Sequence, residues 1–320
     1  MAAPVTAPIT APITAPITAF VFPGLNGAGH GDDHGWLLQL PGFTKRWQLV
    51  ATAFATAPEF ARFDAALRGS QPLPTEVPAW PWRALAVTAM QLAAAEALEQ
   101  RGERAAWLCG YSIGDIARSC HARVASFDRV VAFAAALPAL PRASGGTAAL
   151  LTANADLAER MLSQLASVGV AVSRLSPRFL LVAGTDTALR TARTIGIAGG
   201  GHWRELGACP LHAPVQTRLA CLLAAATRGV TLAAPQCAIY STLWGRAVRA
   251  DDDLRNEFPH NVATPIDFAA AVGRLRARHG VTRFVDLGPG RHAQRFVRHH
   301  GADVEAVHAA DLLAVTAAPA

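Results

Sequence analysis

The sequence predicts an α/β fold into which a smaller α+β module is inserted. Short apolar segments of strand length, such as 19–22 and 283–287, are separated by longer segments in which apolar residues recur at helical spacing, such as 84–100. Strand and helix patterns then alternate more closely between 147 and 195, which is typical of a small module with its own sheet.

The individual elements follow from the same patterns, with glycine and proline marking their ends. Helices are predicted at 44–66 with an interruption at Pro58, and at 84–100, 130–137, 155–168, 188–195, 214–226 and 268–279. Strands are predicted at 19–22, 107–109, 147–152, 170–172, 179–184, 237–240 and 283–287. Prolines at 72, 74, 78 and 81 predict an irregular connector before the alanine- and leucine-rich helix.

The composition predicts a folded protein with a sizeable core. Of the 320 residues, 52% are hydrophobic and only 16% are charged, a balance that favours burial over disorder. The formal net charge of +6 suits an acidic protein or a phosphate-bearing ligand, because opposite charge speeds encounter. The basic residues form no long run and no stripe interleaved with aromatics, so nucleic acid is not the expected partner.

The cysteines and the apolar runs indicate a cytoplasmic protein. The 5 cysteines show no metal-ligand spacing and are odd in number, which indicates a reducing compartment without a disulfide framework. No apolar run reaches the roughly 18 residues that a membrane-spanning helix needs. Residues 1–18 carry an Ala-Pro-Val/Ile-Thr repeat without the basic start of a secretory signal, and because its prolines forbid a helix we predict a disordered tail.

A glycine-rich loop, residues 25–31, follows the first strand. It does not fit a dinucleotide-binding loop, because Asp32 and Asp33 stand where an apolar helix is needed and would repel a pyrophosphate. A loop whose backbone approaches a ligand closely is the simpler interpretation. Asp32, Asp33 and His34 could suggest a metal site, but adjacent residues rarely converge on one ion, so no metal is expected.

The segment 107–115 carries the candidate for covalent chemistry, Ser112. A short apolar run leads into Gly-Tyr-Ser-Ile-Gly, and the residues that follow can continue as a helix. This pattern is typical of a nucleophile elbow, in which the flanking glycines allow a turn sharp enough to project the serine hydroxyl. Backbone N–H groups at the start of the helix could then stabilise an oxyanion. An ordinary strand-to-helix turn is the alternative, because the motif is short.

Further motifs accompany the elbow in a fixed order. They are Phe22-Pro23-Gly24, Gly110-Tyr111-Ser112-Ile113-Gly114-Asp115, Ser176-Pro177-Arg178-Phe179, Leu211-His212-Ala213-Pro214, Asn261-Val262-Ala263-Thr264-Pro265 and Phe284-Val285-Asp286-Leu287-Gly288-Pro289-Gly290. By these motifs the chain, from about residue 20 to 300, resembles the malonyl-CoA:acyl carrier protein transacylase family, which includes the acyltransferase domains of polyketide synthases. The resemblance implies an α/β-hydrolase-like large subdomain at 19–143 and 212–320, interrupted by a ferredoxin-like small subdomain at 144–211.

The resemblance also implies the roles of individual residues. Ser112 would be the nucleophile and His212 its general base, oriented by the backbone carbonyl of Asn261. The backbone N–H groups of Leu25 and Ile113 would form the oxyanion hole; the family usually has glutamine in place of Leu25, but a main-chain donor survives that change. A general base contributes about 10²–10⁴-fold in rate, and one oxyanion donor roughly 3–4 kcal/mol.

Some positions depart from the family pattern. Malonyl-transferring members carry a substrate-binding arginine on the helix after the elbow, where this chain has Leu137; Arg142 could substitute if its loop folds back. A carboxylate buried beside leucine lacks the two charge-assisted bonds of an arginine fork, so malonyl preference is in doubt and monocarboxylic acyl groups are favoured. Tyr111 and Asp115 replace the usual histidine and glutamate, and we assign Tyr111 with Leu137 to the acyl pocket.

Together these residues predict an acyltransferase of polyketide or specialised fatty-acid biosynthesis. Ser112 would take an acyl group from an acyl-CoA or carrier thioester and pass it to the phosphopantetheine thiol of an acidic acyl carrier protein. Acyl-CoA would be a substrate, and no permanently bound cofactor, nucleic acid or membrane partner is expected. The alternatives are an acyl-thioester hydrolase with the same dyad, a non-catalytic subunit that binds carrier proteins, and a conventional triad that uses Asp286 or an aspartate at 251–253.

Overall fold

The computed structural model describes residues 15–25, 34–69, 79–141 and 143–314. Several features named above lie outside these residues. They are most of the repeat tail, most of the glycine-rich loop with Asp32 and Asp33, the connector prolines 72, 74 and 78, and Arg142.

Ten strands and thirteen α-helices occur in the described part of the chain. The strands are β1 (Thr18–Phe22), β2 (Trp107–Gly110), β3 (Gly146–Leu151), β4 (Ala171–Ser176), β5 (Phe179–Gly184), β6 (His202–Gly207), β7 (Ile239–Ser241), β8 (Arg246–Ala247), β9 (Arg283–Asp286) and β10 (Glu305–His308). The helices are α1 (Gly35–Leu38), α2 (Pro41–Ala53), α3 (Pro58–Arg68), α4 (Trp80–Gln100), α5 (Gly114–His121), α6 (Phe127–Ala136), α7 (Ala155–Ser167), α8 (Asp186–Ala198), α9 (Thr217–Thr227), α10 (Glu257–Ala263), α11 (Phe268–His279), α12 (His292–Arg298) and α13 (Ala309–Ala314).

The larger sheet has six strands in the order β10-β9-β1-β2-β7-β8, and its last pair alone is antiparallel within the described residues. The central strand β1 is buried along its whole length, which explains its unbroken apolar run at 19–22. Phe22 at the end of β1 pairs with Gly110 at the end of β2. Because the carboxyl ends of parallel strands share one edge, the loop after β1 and the turn after β2 meet there.

The smaller sheet has four antiparallel strands in the order β4-β5-β3-β6, with α7 and α8 packed against it. Sheet and helices enclose a separate apolar cluster that consists of Leu150, Ala158, Met161, Leu165, Val170, Leu180, Val182 and Ala192. Strand β4 joins this unit to the larger one, because Arg174 N donates to Ile266 O (2.9 Å) and Ile266 N donates to Ser173 Oγ (3.0 Å). The close alternation of strand and helix patterns in the sequence corresponds to this unit.

Helix α4 buries 13 of its 21 residues. It packs against several elements, including α2 and α5. It begins at Trp80, so the prediction that Pro81 belongs to an irregular connector is wrong. Proline is tolerated in a first helical turn because the N–H groups there have no intrahelical acceptor. Further along α4, Gln91 Nε2 donates to Pro23 O (2.6 Å), which anchors the loop after β1.

Most predicted elements are confirmed with boundaries shifted by a few residues, and α11 has the predicted bounds. The sequence patterns missed β6, whose residues are mostly exposed and therefore lack an apolar run. They also missed α10 and α12, each of 7 residues, because so short a helix shows too little periodicity. Strands β8 and β10 and helices α1 and α13 are shorter still and were missed for the same reason.

Candidate active site

Ser112 stands at the turn between β2 and α5 with a backbone φ of 59°. A positive φ is unfavourable for a residue with a side chain, by roughly 1–2 kcal/mol. Hydrogen bonds from Gly114 N to Tyr111 O and from Asp115 N to Ser112 O, both 3.1 Å, close the turn and start the helix. This strand, turn and helix have the form that the Gly-x-Ser-x-Gly pattern predicted.

Two glycines allow backbone segments to approach the serine closely. A Cβ on Gly114 would lie 1.8 Å from the carbonyl oxygen of Phe22, so α5 can begin against the end of β1 only without a side chain at this position. A Cβ on Gly24 would lie 2.8 Å from Ser112 Cβ. The loop after β1 therefore passes directly beside the serine.

His212 forms a hydrogen-bonded pair with Ser112. Its Nε2 lies 2.9 Å from Ser112 Oγ, and its Nδ1 lies 2.7 Å from the backbone oxygen of Asn261. The backbone φ of His212 is 56°, and the non-glycine residues with positive φ in the described ranges are Ser112, Arg123 and His212. Both members of the pair therefore hold an unfavourable backbone conformation, as residues at functional sites often do.

Asn261 can orient the imidazole because of its place on α10. This helix ends at Ala263, ahead of Pro265, so Asn261 lies in the last turn. The last carbonyl groups of a helix have no intrahelical donor, and the Asn261 carbonyl can accept a bond from His212 instead. Both residues are buried, which keeps water from competing for this bond.

The protonation state of His212 follows from its two contacts. A carbonyl oxygen can only accept, so Nδ1 carries the ring proton and Nε2 accepts a hydrogen bond from the Ser112 hydroxyl. Burial lowers the pKa of His212, and the smaller effect of the Asn261 carbonyl raises it. The imidazole is therefore neutral near pH 7 and can take the serine proton.

Ile113 and Leu25, the residues predicted to supply the oxyanion hole, belong to two segments near the serine. Ile113 follows Ser112 directly and is the N-cap of α5. Leu25, which is half-buried, follows Gly24 in the loop that passes beside the serine. An oxyanion hole formed by their backbone N–H groups stays a prediction.

Comparison with known sequences gives one informative relative. No protein-family model matches the chain. Among curated proteins, it is 32% identical over 212 residues to polyketide synthase GfsB of Streptomyces halstedii. The match covers 64% of this chain but 4% of that protein, so the chain spans only a small part of the relative's length.

Solved structures show the fold. The malonyl-CoA:acyl carrier protein transacylase of Xanthomonas oryzae pv. oryzae gives a TM-score of 0.78 at 22% identity, covering 95% of this chain and 99% of that one. The acyltransferase domain from the second module of the salinomycin polyketide synthase gives 0.72 at 23% identity, covering 92% and 68%. A malonyl-transacylase solved with its type II polyketide synthase acyl-carrier protein gives 0.68 at 19% identity, covering 91% and 94%. The chain has the malonyl transacylase fold.

The transacylase fold confirms the mixed α/β class and the resemblance that the motifs carried. Within it, the two residues predicted to line an acyl pocket lie in different surroundings. The ring of Tyr111 packs on Phe268 at a centroid distance of 4.7 Å, and burial raises the pKa of its hydroxyl well above the usual value. Leu137 is half-buried and is the C-cap of α6, a helix that packs in the apolar cluster on the other face of the sheet.

Three of the aspartates considered for a conventional triad, Asp252, Asp253 and Asp286, have other partners in this transacylase fold. Asp252 pairs with Arg246 through an oxygen–nitrogen distance of 2.6 Å. Asp286 accepts backbone N–H bonds from Gly288 and from Gln294 in the first turn of α12, and burial raises its pKa to about 7. The Nδ1 atom of His212 contacts the Asn261 carbonyl instead.

Sequence reasoning missed a set of buried charged residues next to the dyad. Arg118 on α5 lies 3.0 Å from Asp115 and donates a hydrogen bond to Glu257 at the start of α10. The spacing of Asp115 and Arg118, three residues apart on one helix, was a usable signal for the first contact. Glu257 gave no such signal, because its partner lies far away in sequence.

Every helix in the described ranges is too short or too polar to cross a membrane. The same ranges contain no group of three or more His, Cys, Asp or Glu side chains that could hold a metal ion.

Proposed function

We propose that this chain is an acyltransferase that moves an acyl group from a CoA thioester, through an ester on Ser112, to the phosphopantetheine thiol of an acyl carrier protein. The observation that carries the proposal is the line of contacts from Ser112 Oγ to His212 and on to the Asn261 carbonyl. A serine hydroxyl needs a base to act near neutral pH, and this arrangement supplies one in its neutral form.

In the first half-reaction, Ser112 Oγ attacks the thioester carbonyl as His212 Nε2 takes the hydroxyl proton. The backbone N–H groups of Leu25 and Ile113 stabilise the tetrahedral oxyanion. The intermediate collapses with cleavage of the carbon–sulfur bond, and the departing CoA sulfur receives the proton from His212. The products are an acyl ester on Ser112 and free CoA thiol.

The second half-reaction is the reverse with a different thiol. The carrier thiol gives its proton to His212 Nε2, and its sulfur attacks the ester carbonyl. The second tetrahedral intermediate collapses with cleavage of the bond between the acyl carbon and Ser112 Oγ, which takes the proton from His212, and the acyl group stays on the carrier sulfur. Acyl-CoA is thus a substrate, and no permanently bound cofactor enters either step.

The carrier protein is proposed on two grounds. One structure with the same fold was solved as a complex of a malonyl-transacylase with its acyl-carrier protein. The net charge of this chain is +6, which favours encounter with an acidic carrier.

We propose a monocarboxylic acyl group rather than malonyl. Leu137 stands where malonyl-transferring members of the family that the motifs resemble carry arginine. The buried guanidinium of Arg118 cannot replace it, because that side chain is already bonded to Glu257 and lies 3.0 Å from Asp115. A free carboxylate placed beside Leu137 would lack a charge partner.

We also propose that the two sheets belong to two subdomains, an α/β-hydrolase-like one at 19–143 and 212–320 and a ferredoxin-like one at 144–211. The separate apolar cluster of the smaller sheet supports this division. The substrate cleft would then lie between the subdomains, since His212 follows directly on the smaller one.

Intact-protein mass spectrometry tests the proposal. The protein is incubated with acetyl-, propionyl-, butyryl- and malonyl-CoA, with Ser112→Ala as the control variant. We expect one acyl adduct from the monocarboxylic thioesters, little from malonyl-CoA, and none on Ser112→Ala. An adduct that persists on Ser112→Ala would contradict the proposed nucleophile.

The same experiment separates transferase from hydrolase, which would use the same dyad. The acylated protein is freed of excess thioester and divided between buffer and buffer with holo acyl carrier protein. Transfer predicts a stable adduct in buffer and rapid movement of the acyl mass to the carrier. Loss of the adduct at the same rate in both portions would favour an acyl-thioester hydrolase, and absence of any adduct a non-catalytic subunit.

A further inference from the structure

A group of charged side chains is buried beside Asn261, the residue whose carbonyl contacts His212. Asp115 and Glu257 are each 3% exposed, and Arg118 between them is 0% exposed. Buried charges of this kind are rare unless they are paired, and they generally add little net stability compared with apolar packing. Their presence beside the proposed dyad therefore calls for an explanation other than stability.

Arg118 connects three elements. Its Nη1 atom lies 3.0 Å from Asp115 Oδ1 on the same helix, α5. The same nitrogen donates a hydrogen bond to the backbone oxygen of Tyr240 on β7 (3.3 Å). The other terminal nitrogen, Nη2, donates to Glu257 Oε2 at the first residue of α10. Burial opposes the charge on Arg118, but Glu257 and Asp115 outweigh it and raise its pKa, so the guanidinium stays charged.

A second contact links the same group to the partner of His212. Asp115 Oδ2 accepts a hydrogen bond from the side-chain amide of Asn261 at 2.5 Å. Asn261 lies one turn after Glu257 on the same face of α10, so both residues are held from α5. The backbone oxygen of this same Asn261 accepts the bond from His212 Nδ1.

We propose that Asp115, Arg118 and Glu257 are positioning residues that fix α10 at two points and thereby hold the Asn261 carbonyl where it aims His212 at Ser112. This inference rests on the function proposed above. Helix α10 has only 7 residues and would be marginal on its own, so its place depends on what holds it. A carbonyl on a loosely held helix would let the imidazole turn away from the serine, and a displacement of about 1 Å can reduce a rate about 100-fold.

The test uses substitutions at Asp115, because its removal leaves Arg118 and Glu257 as a charge-balanced pair. Asp115→Ala removes the acceptor for the Asn261 amide, whereas Asp115→Asn keeps an acceptor oxygen in the same place. Met161→Ala, in the apolar cluster of the smaller sheet, is the control for a general loss of stability. Arg118→Met is a second variant that detaches α10 from α5 at Glu257.

Two measurements report on the dyad independently. The first is the rate at which a fluorophosphonate probe labels Ser112. We expect that rate to fall about 100-fold in Asp115→Ala and in Arg118→Met, and to stay within about tenfold of the wild type in Asp115→Asn. Met161→Ala should label at the wild-type rate even if its melting temperature falls as much as that of Asp115→Ala.

The second measurement is the proton NMR resonance of the His212 Nδ1–H group, which depends on its bond to the Asn261 carbonyl. We expect this resonance to shift or broaden in Asp115→Ala and to be kept in Asp115→Asn and Met161→Ala. Folded Asp115→Ala with wild-type labelling and an unchanged resonance would overturn the positioning role. If even the wild type resists the probe, the proposed function fails, while the resonance still decides whether these residues hold the Asn261 carbonyl.

Discussion

The Nδ1 atom of His212 lies 2.7 Å from the backbone carbonyl oxygen of Asn261, at the position where a conventional serine triad places a carboxylate. A carbonyl fixes the tautomer of the imidazole without adding a negative charge. The proposed base therefore depends on main-chain geometry.

The first prediction separates this arrangement from a triad that uses Asp286. We expect His212→Gln to reduce the rate of Ser112 acylation by about 10²–10⁴-fold, because the base is lost. Asp286→Asn should stay within about tenfold of the wild type, since that carboxylate accepts backbone N–H bonds from Gly288 and Gln294 and none from His212. Stopped-flow acylation by an acyl-CoA measures both. Equal losses in the two folded variants would favour the triad.

The second prediction concerns pH. Burial lowers the pKa of His212 below its usual 6.5, and the base acts in its unprotonated form. The acylation rate should therefore rise through a midpoint below pH 6.5 and be constant at higher pH. The unfolded chain binds this proton more readily, so the associated stability is present above the unfolded pKa and is lost as the pH falls.

Asp115, a second titratable group near the site, titrates in a neighbouring pH range and needs its own control. The pKa of Asp115 is raised to about 7, first by burial and also by Glu257, while Arg118 and the Asn261 amide lower it. Asp115→Asn removes this titration and should leave a single midpoint below pH 6.5 in the rate profile. A midpoint above pH 7 in that variant would show that the protonation of His212 does not cause the fall of the acylation rate at low pH.

Some elements of the fold could be predicted from the sequence and others could not. The buried strands β1, β2 and β9 were predictable because both faces of a parallel sheet require unbroken apolar runs, as at 19–22. The start of α4 at Trp80 was not predictable, since a proline in a first helical turn looks the same in sequence as a proline in a connector. The edge strand β6 carries no apolar run because nearly all of it is exposed.

The residues of the candidate site also differ in how far the sequence predicted them. Ser112 could be found from its flanking glycines, because the turn and the close approach to Phe22 require them. His212 and Asn261 were predicted only through motifs shared with a family, since nothing in composition or spacing marks them. The contact of Arg118 with Glu257 joins distant segments and follows from tertiary packing alone.

The third prediction tests the acyl pocket at position 137. Leu137→Arg should raise the rate of Ser112 acylation by malonyl-CoA relative to acetyl-CoA. Hydrogen bonds to a charged group contribute about 1.5–3 kcal/mol, which corresponds to roughly 10–100-fold in that ratio. Leu137→Met is the control for volume. A ratio that does not change in Leu137→Arg would place the substrate away from the end of α6.

The fourth prediction concerns Gly114, where a Cβ would lie 1.8 Å from the Phe22 carbonyl oxygen. Gly114→Ala must push α5 away from β1, and overpacking of this kind destabilises by about 1–3 kcal/mol or more. Gly273→Ala on α11 is the matched control, because apart from its chain neighbours and the backbone of its own helix no atom lies within 4 Å of that Cβ. An open helical site should gain up to about 1 kcal/mol from alanine. Thermal unfolding that shifts equally in both variants would contradict the close packing of α5 on β1.

The central claim is that Ser112 carries the acyl group and that His212 activates it. Single-turnover acylation followed by peptide mapping tests this most directly, with wild-type protein, Ser112→Ala and His212→Gln mixed with one acyl-CoA. We expect an ester mapped to the peptide that contains Ser112, formed about 10²–10⁴-fold more slowly in His212→Gln and absent in Ser112→Ala. An acyl group mapped to another residue, or wild-type kinetics in His212→Gln, would contradict it.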